Sequence, residues 1–178
     1  MNLRSVSRRT TVGALVATFM AAALLGAAPA SAHQPVRLTA DDRTPARGPL
    51  LVDGTVSFAV YASVGKGETR GFRVGLKRGD RLTIQLLIPD RAPANRLRAG
   101  QLPRVSVIDP AGRRTTMRID ERTPFYEPYS GTSYLYLARL AEPARRGTYQ
   151  VIVSGRTSTV VPVVIGVGYR EVPGVVRD

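Results

Sequence analysis

From about residue 51 onward, apolar residues recur at every second position in short stretches, the period of a strand with one buried face. Val56, Phe58 and Val60 alternate with Thr55, Ser57 and Ala59, and Phe72, Val74 and Leu76 alternate with Arg73 and Gly75. Leu82, Ile84 and Leu86 alternate with Arg81, Thr83 and Gln85, and Tyr149, Val151 and Val153 with Thr148, Gln150 and Ser154. Shorter apolar runs near 104–109, 114–119, 133–140 and 159–169 predict further strands, about eight in all. Turn-forming residues separate the runs at 65–67, at 77–80 around Gly79, at 109–112 (DPAG) and at 145–147. No stretch carries the 3.6-residue stripe of an amphipathic helix, and a parallel α/β fold needs such helices between its strands. The expected fold is therefore all-β, an antiparallel β-sandwich or jelly roll. In the last run, TVVPVVIGVGY, Pro162 cannot donate to a ladder, so this strand is expected at an edge or with a bulge. The run is too short to span a membrane as a helix.

Residues before 51 break this pattern. Arg4, Arg8 and Arg9 precede an apolar run from Val12 to Ala28, and Ala30, Ser31 and Ala32 follow as a small-residue cleavage site. Residues 1–32 thus read as a secretory signal peptide, which places the protein outside the cytoplasm. Ser7, Arg8 and Arg9 also fit part of a twin-arginine signal, although Thr10 and Thr11 follow them, so export by Sec or by the twin-arginine route is open. Residues 33–50, with three prolines and scattered charge, read as a flexible or loosely docked arm, leaving 51–178 as the sandwich domain. No transmembrane span is expected once the signal is removed.

Composition narrows the chemistry. The 178 residues include 26 Lys plus Arg against 13 Asp plus Glu, a formal net charge of +13, one His and no Cys. Without cysteine there is no disulfide framework, thiolate metal site, iron–sulfur cluster, lipid-carrying cysteine or cysteine nucleophile. Three of the positive charges fall in the signal segment. Nucleic acid is the common partner of a basic domain, but export removes it, and the aromatics do not interleave with the basic residues as a stacking platform requires. Outside the cell, anionic wall polymers, acidic polysaccharides and phospholipid headgroups are the matching partners.

Three local patterns, LKRGDRLTIQLLI (76–88), VSVIDPAGR (105–113) and ARRGTYQVIVSG (144–155), resemble the bacterial pre-peptidase C-terminal domain family across roughly residues 55–155. The resemblance implies a secreted, jelly-roll-like module without catalysis, serving binding or accessory duties beside exported hydrolases.

Two segments are candidate binding sites. The long loop PDRAPANRLRAGQLP (89–103) carries Arg91, Arg96 and Arg98, with Arg104 just beyond. Loops of this length in compact domains are often functional, and guanidinium groups grip carboxylate or phosphate in bidentate fashion. The segment FYEPYSGTSYLYL (125–137) gathers Phe125, Tyr126, Tyr129, Tyr134 and Tyr136, with Glu127 among them. On a loop these could hold a carbohydrate or a protein partner, or they could fill the sandwich end, with one tyrosine hydroxyl bonding backbone.

Catalytic, metal and cofactor roles find little support. His33 would begin the mature chain and could offer its amino and imidazole nitrogens to copper, but such sites take a second histidine. Asp120, Glu121 and Glu127 could supply an acid and a base only at a separation the sequence does not set. No glycine loop followed by Lys-Ser or Lys-Thr is present, nor a run of acids for calcium. The expectation is a secreted, non-catalytic binding module acting at the cell envelope or on an extracellular anionic or carbohydrate partner, with no cofactor. The alternative is an accessory or inhibitory protein that binds a secreted hydrolase.

Overall fold

A computed structural model describes residues 33–178 except Tyr129, so the expected signal peptide lies outside the described residues. Twelve strands follow one another: β1 (Gln34–Arg37), β2 (Leu50–Leu51), β3 (Phe58–Val64), β4 (Thr69–Leu76), β5 (Arg81–Pro89), β6 (Arg104–Ile108), β7 (Arg114–Thr116), β8 (Thr123–Glu127), β9 (Thr132–Pro143), β10 (Gly147–Ser154), β11 (Val161–Val167) and β12 (Val176–Arg177). They form two six-stranded sheets. Sheet 1 runs β1-β3-β11-β5-β9-β8 and sheet 2 runs β12-β2-β4-β10-β6-β7. The sheets pack together as a β-sandwich, and the described residues contain no α-helix.

The alternating residues meet between the sheets. Sheet 1 contributes Phe58, Val60, Leu82, Ile84, Leu86 and Ile165, and sheet 2 contributes Phe72, Val74, Tyr149, Val151 and Val153, all at or near zero exposure. Burying each such side chain stabilises the fold by about 1.5–3 kcal/mol before chain entropy is counted. Tyr149 brings its hydroxyl into this core, where it accepts the Arg145 backbone N–H at 2.8 Å. This is the tyrosine-to-backbone bond that one reading of 125–137 placed in that segment, made here by a tyrosine of β10.

The structure differs from the expectation in three places. First, both sheets are mixed, because β1 runs parallel to β3 and β2 parallel to β4. Second, residues 33–50 are a built part of the fold. β1 pairs with β3 in register, and beyond it the Gly71 N–H donates to the Asp42 carbonyl, Thr69 Oγ1 to the Arg43 carbonyl and the Arg73 N–H to the Pro49 carbonyl. Glycine makes this docking possible. A Cβ at Gly71 would lie 2.4 Å from the Pro45 nitrogen, so only a bare backbone lets the segment lie flat on β4. Third, Pro162 sits in a central strand, since β11 lies between β3 and β5. The ladder to β5 runs only from Val164 to Val167, so Pro162 lies beyond it and removes no bond to that neighbour.

The DPAG turn shows how short motifs fix strand ends. Asp109 Oδ1 accepts the Ala111 and Arg113 backbone N–H groups, both at 2.9 Å, and Gly112 takes a φ of 85°. The Arg113 N–H bond is the largest of the influences holding the Asp109 carboxyl below its ordinary range.

Candidate functional site

The aromatic segment 125–137 is a β-hairpin on the edge of sheet 1. In β8, Phe125 and Glu127 stand opposite Tyr134 and Thr132 of β9, so these side chains share the outer face of the sheet. Tyr136 stands opposite Leu87 of β5, where a bulge in the β5–β9 pairing turns both Leu137 and Ala138 into the core. Outward residues Val164 of β11 and Ala59 of β3 continue the same surface and bury against Leu87 and Tyr134. Tyr61, Phe125 and Tyr136 pack on them, half-buried. A second, smaller apolar cluster therefore lies outside the sandwich core.

This cluster forms a groove of about 210 Å³. Tyr61, Leu87, Phe125, Tyr134 and Tyr136 line it, with His33 and Pro35 on the β1 side and Glu127 and Ser130 on the hairpin side. Gly166 leaves its floor open. A Cβ there would lie 2.9 Å from Gln85 Oε1, so the Gln85 side chain crosses the space a larger residue would take. The walls are held in place. Phe125 and Tyr136 pack with their rings tilted by 47° and 5.3 Å between centroids, and Arg139 covers Tyr136 at 4.0 Å while its Nε pairs with Glu121 at 3.2 Å. Burial pushes the Tyr136 and Tyr61 phenols up from their ordinary value, and a bond to Tyr134 adds to the effect on Tyr61. Both hydroxyls therefore stay protonated at neutral pH. Glu127 has a structural task, accepting the Ser130 N–H at 2.7 Å across the hairpin turn.

A second hollow of about 410 Å³ adjoins the groove and shares Tyr61, Tyr134 and Val164 with it. Arg37, Arg70 and Arg91 line it, from β1, β4 and the segment after β5. Arg37 lies 5.2 Å from the centre of the Tyr61 ring, at the junction of the two spaces.

The four arginines expected to form one anion site are divided. Arg91 lines this second hollow, whereas Arg104 lines a separate one of about 250 Å³ with Thr116, Met117 and Arg156. Arg96 and Arg98 are exposed and line neither of these hollows. The segment that carries them closes part of the core. Ala94 and Leu102 are buried and Leu97 packs against them, while Arg122 donates to the Asn95 and Leu97 carbonyls. Among the aromatic candidates, Phe125 and Tyr134 reach the groove, Tyr126 is 60% exposed and absent from its lining, and Tyr129 lies outside the described residues.

Sequence reasoning missed Tyr61, Leu87 and Val164. A signal existed: Leu86, Leu87 and Ile88 run together, as do Val163, Val164 and Ile165, so these strands are apolar on both faces. Among the described residues, no cluster of three His, Asp or Glu comes together for a metal ion. No family model matches the chain, and no curated protein matches it in sequence.

Proposed function

We propose that this is a secreted, non-catalytic binding module that holds a carbohydrate in the groove on the outer face of sheet 1. One observation carries the reading: a solvent-facing sheet surface is built from Phe125, Tyr134, Tyr136 and Tyr61 where polar residues would suffice for solubility. Sugar rings present apolar C–H faces and hydroxyl edges, and tyrosine offers both a ring and a polar tip. A groove of about 210 Å³ suits a sugar ring rather than a large folded partner. The signal-like segment 1–32 and the resemblance to a family of exported modules support an extracytoplasmic setting.

The test is affinity electrophoresis in gels cast with soluble polysaccharides, comparing wild type with Phe125→Ala. Retardation by at least one polysaccharide, reduced about tenfold in affinity by the substitution, is expected. Retardation that Phe125→Ala leaves unchanged, or a protein recovered only in complex with an exported hydrolase, would overturn the reading. Cell fractionation checks the setting, with the protein expected outside the cytoplasm.

A further inference from the structure

We infer that the hollow beside the groove is a carboxylate subsite, so that the ligand is an acidic polysaccharide of uronic-acid type; this rests on the carbohydrate reading of the groove. Three arginines from separate parts of the chain, Arg37, Arg70 and Arg91, line the hollow, and no acidic side chain does. Three like charges around one space repel each other, and an anion between them relieves that repulsion. Asp41 and Asp42 follow Arg37 along the chain, Glu68 precedes Arg70 and Asp90 precedes Arg91, and none of the four lines the hollow. Asp42 accepts the Thr39 N–H at 2.6 Å, Glu68 the Gly65 N–H at 2.8 Å, and Asp90 the Asn95 amide at 3.0 Å.

Arg70 is the most telling of the three. Its side chain is only 12% exposed, and its nearest carboxylate, that of Glu68, lies 3.9 Å away and is nearly half exposed. A guanidinium removed from water with so distant a counter-charge is poorly compensated. Arg70 Nη1 donates to the Thr69 carbonyl at 2.7 Å, which fixes the plane of the group. Ser63 also lines the hollow and adds a hydroxyl, whereas the hydroxyls of Thr39 and Thr132, which line it too, donate to the Asp42 carboxylate and the Ser130 carbonyl. Planar guanidinium forks match a carboxylate in bidentate geometry. The adjoining space supplies what the rest of a uronic acid needs. Tyr61 and Tyr134 line both hollows, so a ring lying on the tyrosines places its carboxylate toward Arg37. A compact inorganic anion or a lipid headgroup would leave the aromatic groove beside the arginines unfilled.

The experiment measures retention of the protein, expressed from its full chain, on immobilised polygalacturonate, alginate and hyaluronate at about 150 mM salt, where long-range attraction is screened. Each polymer is compared with its methyl ester, which keeps the sugar and removes the charge. At least one acid form is expected to bind about tenfold more tightly than its ester. Arg37→Gln combined with Arg91→Gln is expected to abolish that preference while leaving ester binding in place. Arg114→Gln combined with Arg146→Gln, which removes equal charge from exposed positions elsewhere, is expected to leave the preference intact. Equal binding of acid and ester, both weakened by Phe125→Ala, would overturn the carboxylate subsite and keep the carbohydrate reading. Equal losses in the two double variants would reduce the effect to net charge and overturn the subsite. Binding to neither form would overturn both readings. Arg37- and Arg91-dependent binding to phosphatidylglycerol vesicles, with no uronate bound, would assign the hollow to a membrane surface and overturn the subsite.

Discussion

The inner faces of the two sheets are alike, and their outer faces are not. On sheet 2 the outward residues of β10 are Thr148, Gln150, Ile152 and Ser154, and those of β6 are Arg104, Ser106 and Ile108, a mostly polar surface. Where β4 turns outward it shows Gly71 and Gly75, on which the backbone of residues 44–45 and 51–52 lies directly. Sheet 1 turns outward Ala59, Tyr61, Leu87, Val164, Tyr134 and Tyr136, and no segment of the described chain covers the groove they line. One face is polar and, along β4, covered by main chain pressed onto glycine, while the other is left as an aromatic surface. A sandwich needs only one buried face per sheet. The second apolar face of sheet 1 adds a small cluster of its own to the fold, beyond the shared core, and is where binding has room to operate.

The largest effects should be blind to this difference. Phe72→Ala in sheet 2 is expected to cost about 3–5 kcal/mol and Leu86→Ala in sheet 1 about 2–5 kcal/mol, because both side chains are fully buried in the shared core. Denaturant unfolding checks both, and a tolerated substitution in either sheet would break the claim of a common core. Gly71→Ala, next in size, strikes the covered face. Its Cβ would meet Pro45 and Thr44 atoms at 2.4–2.6 Å, and backbone cannot rotate away, so a loss of about 2–3 kcal/mol is expected, at the upper end for overpacking. Residues 42–48 should then become a site of early cleavage in limited proteolysis.

Smaller changes separate the outer faces. Leu87→Ala is expected to cost about 2 kcal/mol, since Leu87 is 6% exposed although it points outward. Ile152→Ala, at the half-buried outward position on sheet 2, should cost less than about 1 kcal/mol. Equal costs, read from chemical denaturation, would erase the distinction. Acid has the mildest effect. Asp53 is held below its ordinary value of 3.8 chiefly by the Thr55 hydroxyl, and Asp109 chiefly by the Arg113 N–H. A lowered carboxyl stabilises the fold fully above 3.8 and ceases to do so as pH falls through the folded value. The melting temperature should therefore hold from about pH 5 to 7 and decline below about pH 4, less so in Asp109→Asn than in wild type. The Tyr61 and Tyr136 phenols, raised from their ordinary value, stay protonated over this range.

The four alternating runs correspond to β3, β4, β5 and β10 and the four shorter apolar runs to β6, β7, β9 and β11, because strands that carry the core must show its period; β7, with three residues and none buried, is the exception. The others had no such mark. β2 and β12 have two residues each, and β1 and β8 contain Pro35 and Pro124, so their pairing depends on the neighbour rather than on a pattern of their own. For the same reason residues 33–50 read as an arm, since docking by backbone onto glycine leaves no apolar period. The site was half legible. Phe125, Glu127 and Tyr134 stood out as one segment, but Tyr61, Leu87 and Val164 come from three other strands that only sheet order brings beside them. Arg91 was singled out with the wrong companions, because its neighbours along the chain face other parts of the surface and Arg37 and Arg70 meet it only in space.

The most direct measurement is a two-dimensional NMR titration of the protein with a galacturonic-acid oligomer, following backbone and arginine side-chain signals. Shifts are expected at Tyr61, Tyr134, Val164 and Gly166 and at the side chains of Arg37, Arg91 and, from β4 of sheet 2, Arg70, with outward residues of sheet 2 such as Gln150 and Ile152 unmoved. Shifts spread over exposed arginines on both faces, or centred on the outer face of sheet 2, would contradict the assignment of binding to the groove on sheet 1 and the hollow beside it.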